Sequence, residues 1–125
     1  MQLLTDRTLT AQIKTINLGS SNTNLELLLL ETGEQRIEVS SAGEALGEDK
    51  NYINDLSKGR KLMLAEEGFT NERKSIFVPS LKLYCDTISI PDFIKIVVQE
   101  ALSENQQAIV ILCVFVEIGL ETSIG

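Results

Sequence analysis

Pro91-Asp92-Phe93-Ile94-Lys95-Ile96-Val97-Val98-Gln99-Glu100-Ala101-Leu102 is the stretch on which the reading of the chain turns. Proline is favoured at the first helical position, where its missing N–H costs nothing, and Asp92 lies at the end where the helix dipole favours negative charge. Phe93, Ile94, Val97, Val98, Ala101 and Leu102 recur at helical spacing, while Lys95, Gln99 and Glu100 fall opposite. The spacing predicts an amphipathic helix over 91–102 that lays one face on a core.

The segments around it read mainly as strands. In 8–18, Leu9, Ala11 and Ile13 alternate with polar residues until Ile16 and Leu18 take over, so a strand with a bulge or a bend near Thr15 is expected. A turn cluster over 19–24 leads to Leu25–Leu30, apolar on both sides except at Glu26, and Thr32-Gly33 turns the chain into 35–39. These three strands make an antiparallel meander. Further strands are expected at 61–65, 75–78 and 81–85, with Pro79 bending the chain between the last two. Ala108–Val116 is a continuous β-branched run, which places it as a strand buried on both faces at the centre of the sheet. Between the meander and these strands, Ser41 and Glu44 have capping-box spacing for a short helix that Gly47 interrupts. Tyr52, Ile53 and Leu56 predict a helical segment near 49–58, ended by Gly59. The expected fold is therefore α+β in one domain, 1–125: a mostly antiparallel sheet of about five to six strands, with the 91–102 helix on one face.

With 43% apolar and 23% charged residues, the chain has an ordinary globular composition. Its net charge is −7, from 18 acids and 11 bases. Holding a phosphate backbone requires clustered Lys and Arg, so neither nucleic acid nor an anionic membrane surface is expected as a partner. Two cysteines are too few for a disulfide framework, and the apolar run at 108–116 falls short of the roughly 20 residues that span a bilayer. No signal-peptide pattern is legible at the start of the chain, and a cytoplasmic location is expected.

The chain contains no histidine. That removes Ser-His-Asp and Cys-His nucleophilic systems and histidine-based zinc sites. Neither phosphate-binding glycine signature occurs, and 44–55 does not match a calcium loop. The acid pairs Glu48-Asp49 and Glu66-Glu67 read as solvated surface. No metal or cofactor is expected, and no catalytic constellation is legible.

Only one region is net positive. Residues 58–74 hold Lys58, Arg60, Lys61, Arg73 and Lys74 against Glu66, Glu67 and Glu72. Ser57, Lys58, Arg60, Lys61, Arg73 and Lys74 are the candidate anion-binding residues, with the two arginines as forked donors. Within this region Asp55-Leu56-Ser57-Lys58-Gly59 resembles the D-x-S-x-G-G element of PilZ domains, which bind cyclic di-GMP. The resemblance covers five residues. Arg60 stands where the family has its second glycine, and the upstream Arg-x-x-x-Arg is absent, with Arg36 alone there. Neither ligand nor residue role is carried over. Of the cysteines, Cys113 reads as a core residue and Cys85 as a partly exposed one with Lys82 as its local cation.

Two functional classes follow. The first is a non-enzymatic interaction or assembly module, homo-oligomeric or bound to a protein partner. An acidic inhibitor of another protein is one form of it. Its basis is the absence of catalytic groups together with the leucines on both faces of 25–30, which call for cover. The second is a binder of a small anionic ligand, a nucleotide or sugar phosphate, using 58–74.

Overall fold

The computed structural model describes residues 10–17 and 24–124. The expected turn at 19–23 and the ends of the first strand at Thr8, Leu9 and Leu18 lie outside the described residues. The elements are β1 (Ala11–Asn17), β2 (Asn24–Leu30), β3 (Gln35–Glu38), α1 (Val39–Ala45), α2 (Lys58–Glu66), β4 (Lys74–Val78), β5 (Leu83–Ser89), α3 (Ile90–Leu102) and α4 (Gln106–Ile124). The five strands form one sheet in the order β1-β2-β3-β5-β4, antiparallel at every step. The fold is thus α+β, with four helices among the described residues.

The leucines of β2 explain the architecture. Successive side chains of a strand point to opposite faces. Leu25 and Leu27 join Ile37 and Ile88 beneath Phe93, Ile96 and Val97 of α3 and Ala108 and Ile111 of α4. Leu28 and Leu30 point the other way and pack with Ala11, Ile76, Val78 and Cys85. Among the described residues no helix packs on that second cluster. The sheet covers it by curling: Thr10 bridges Phe77 in parallel, which brings β1 against β4 and closes the five strands toward a barrel. Leu28 and Leu30 are thereby buried within the chain itself.

The same geometry removes the bulge expected at Thr15. Pairing with β2 runs unbroken from Ala11↔Leu30 to Asn17↔Asn24. The apolar phase shifts because both faces are buried: Ala11 and Ile13 face the curled interior and Ile16 faces the helices.

Two segments expected as strands are helices. Residues 61–65 lie in α2, whose N-terminus is capped by Ser57. Arg, Lys, Leu, Met and Ala all favour helix, and the cap decides where it starts. Gly59 accordingly sits in the first turn of α2 instead of ending a helix at 49–58. That segment is a series of turns, although Ile53 and Leu56 are buried as their spacing implied. Residues 108–116 lie in α4, not in the centre of the sheet, which β3 occupies. Asn105 is the reason: its Oδ1 accepts from the N–H of Ala108 at 3.2 Å, an N-cap bond, while its Nδ2 donates to Leu46 O and Glu100 Oε1, each at 3.0 Å. With the start fixed, the helix runs for 19 residues, a helical length and not a strand length.

The first helix also starts earlier than its capping-box spacing suggested. It opens at Val39, and Ser41 Oγ donates to Glu38 Oε1 at 3.0 Å. Gly43 is required inside it, because a Cβ there would lie 2.6 Å from the carbonyl oxygen of Asp49.

Candidate interaction surface

The sequence pointed first to the basic segment. Ser57 is occupied as the cap of α2, accepting from the N–H of Arg60 at 3.2 Å, so the PilZ-like pentapeptide serves as a helix start. Lys58 and Lys61 are exposed on α2. Arg60 turns inward. Its Nε donates to Gln99 Oε1 at 2.8 Å, its Nη1 to the Tyr52 hydroxyl at 2.6 Å, and its Nη2 pairs with Glu100. Arg73 donates to Asp86 Oδ2 at 2.5 Å, Asn71 Oδ1 at 3.0 Å and Asn54 Oδ1 at 2.9 Å. Lys74 pairs with Glu34 at 3.2 Å. The two arginines serve separate clusters, Arg60 on α3 and Arg73 on β5, and each also fastens the turns at 49–56, through Tyr52 and Asn54.

Around Arg60 the electrostatics are those of a satisfied structural network. Burial alone would raise the pKa of Glu100, but the bonds from Tyr52, Asn105 and Arg60 outweigh it and hold the carboxyl below its usual range. Burial, reinforced by the carboxylate of Glu100, pushes the Tyr52 hydroxyl up. Arg60 is raised despite its burial, because it donates to Glu100 and Tyr52.

A second buried cation escaped the sequence reading. Arg36 on β3 is 1% exposed, and all its arms are committed: Nε to Thr87 Oγ1 at 2.7 Å, Nη2 to the carbonyls of Thr87 and Glu72, and Nη1 to Glu34 Oε2 at 2.9 Å. A lone arginine in a short strand gives no sequence signal of such a set. Glu34, between Arg36 and Lys74, is held below the usual carboxylate range chiefly by its bond from Arg36.

The cysteines exchange the roles expected of them. Cys85 is buried within the curled sheet, where burial and a bond to Glu38 push its thiol up to about 12. Its charged neighbour is an acid, not Lys82, so it is not an activated thiol. Cys113, expected in the core, is exposed on α4.

That exposure belongs to a larger feature. The described part of α4 from Ala108 to Val116 is apolar on every side, a composition normally found in helices buried all round. Ala108 and Ile111 are buried against the core, yet Ile109 is 39% and Val116 57% exposed. With Cys113 they recur at spacings of four and three residues, which makes a single uncovered stripe.

The second uncovered apolar surface lies between α2 and α3. The stripe expected on one face of 91–102 is divided: Phe93, Ile96 and Val97 enter the core, whereas Ile94, Val98 and Leu102 face α2. There they join Met63 and Leu64 in a groove of about 340 Å³ rimmed by Glu66, Glu67, Lys95 and Gln99. Val98 is 40%, Met63 58% and Leu102 82% exposed.

Among the described residues no cluster of three or more metal-ligating side chains occurs, and no helix is long and apolar enough to cross a membrane. Compared with known proteins, the chain matches no family model, no curated protein and no solved structure.

Proposed function

We propose that this chain is a non-enzymatic assembly module that works as a homodimer, paired through α4. The observation that carries the reading is the uncovered stripe Ile109-Cys113-Val116 on a helix whose other faces are also apolar. A twofold interface must be self-complementary, and an uncharged apolar stripe meets that condition. Its spacing of four and three residues is that of knobs-into-holes packing between helices.

Charge favours the antiparallel arrangement. Parallel pairing would set Glu117 beside its own copy. Antiparallel pairing about Cys113 sets Glu117 near the start of the partner helix, where the dipole is positive and no acid occupies the first turn. The stripe is small, so a dissociation constant in the roughly micromolar range, about −8 kcal/mol, is expected.

Cys113 supplies the test. A short bis-maleimide should link two chains through it, because Cys85 is buried. The expected result is a covalent dimer in the wild type and none in Cys113→Ser. Ile109→Glu/Val116→Glu should abolish the cross-link while leaving the labelling of single chains intact. Equal cross-linking in that variant contradicts the pairing.

A further inference from the structure

We infer that the groove between α2 and α3 is a docking site for a cationic amphipathic helix of a different protein. This goes beyond the α4 pairing and does not depend on it. Met63, Leu64, Ile94, Val98 and Leu102 form an apolar trough between two helices, the setting in which a third helix inserts two or three apolar anchors. Ile94, Val98 and Leu102 follow one another at four-residue steps on the face of α3 that α2 leaves open.

The charge of the rim states what the partner carries. Glu66 and Glu67 lie at the C-terminal end of α2, both exposed, and among the described residues neither is held in an ion pair. The same helix end has no basic residue of its own in its last turn, so the helix dipole adds to the negative potential there. Lys95 is the one rim base, and it lies over Gly68. An incoming helix with Lys or Arg beside its apolar stripe completes this end. A second copy of the chain does not offer such a helix in α4, which has no base anywhere in its sequence. The occupant that this rim fits is a foreign helix carrying such bases, and the acidic character of the whole chain, net −7, favours its approach.

The test uses the full chain, isotopically labelled for NMR, and three synthetic helical peptides of one length. One has leucines at helical spacing flanked by lysines, one has the lysines replaced by glutamates, and one is a scramble of the first. The Leu/Lys peptide should shift the side-chain signals of Met63, Ile94, Val98 and Leu102. Val98→Asp should weaken its binding at least tenfold without changing the thermal melting point by more than a few degrees. Glu66→Lys/Glu67→Lys should reverse the preference toward the glutamate peptide. Ile109→Glu/Val116→Glu, which addresses α4, should leave binding unchanged. Equal binding of the scramble, shifts centred on α4, or indifference to Val98→Asp each overturn the inference. So does a concentration-dependent shift of the groove signals in the absence of peptide, since a second copy would then be the occupant.

Discussion

The hydroxyl of Tyr52 donates to Glu100 Oε2 at 2.5 Å and joins the turns at 49–56 to the last turn of α3. The same hydroxyl accepts from Arg60, so one oxygen links a base on α2 to an acid on α3. Tyr52→Phe removes that link but leaves Arg60 and Glu100 facing each other, and should cost about 0.5–1.5 kcal/mol. Glu100→Leu removes the acid that Arg60, Tyr52 and Asn105 all reach. Because Arg60 keeps contact with water, the cost should be about 1–3 kcal/mol, below that of stranding a fully buried charge. Urea unfolding of the two variants against the wild type measures both. A Glu100→Leu variant no less stable than Tyr52→Phe would show that the network is not organised around the acid.

Acid should weaken the fold through two glutamates. The folded-state pKa values of Glu34 and Glu100 lie below the ordinary value, so their ionised forms stabilise the fold. That contribution is complete above about pH 4.3, the unfolded value, and is lost as the pH falls through the folded values. Melting temperature should therefore decline below about pH 4.3, and the decline should be shallower in Glu34→Gln. An identical profile in that variant would remove Glu34 from the explanation.

Alkali acts on the other side of neutrality. The Cys85 thiol is raised to about 12, so its neutral form stabilises the fold fully below about pH 8.5 and progressively less as the pH rises toward the folded value. Tyr52 is shifted in the same direction and adds to the alkaline loss above about pH 10. At neutral pH iodoacetamide should modify Cys113 and spare Cys85, as read by peptide mass mapping. Modification of Cys85 at a comparable rate would mean that the closed sheet opens on the labelling time scale.

Much of the fold was legible where one physical signal acted alone. Helix α3 followed from its proline, its acid and its period, and the presence of two strands, though not the bounds of β5, from two apolar segments around Pro79. What misled were segments on which two signals competed. The β-branched run at 108–116 argued for a strand, and the capping chemistry of Asn105, which starts a helix of 19 residues, outweighed it. Residues 61–65 looked like a short apolar strand until Ser57 fixed a helix start ahead of them. The leucines of β2 were correctly seen to need cover on two faces. Their cover is intramolecular, since closure of β1 onto β4 is a tertiary event that no local pattern encodes. The basic segment was visible as charge, yet the acids that occupy Arg60, Arg73 and Lys74 come from 34 to 100 and could be matched only in three dimensions. The uncovered stripe of α4 became visible only once the segment was known to be a helix.

Sedimentation velocity of the full chain across the micromolar range, wild type against Ile109→Glu/Val116→Glu, tests the α4 pairing most directly. The wild type should shift from monomer to dimer as concentration rises, and the double variant should sediment as a folded monomer throughout. A wild type that remains monomeric across that range, or a variant that dimerises as the wild type does, contradicts it.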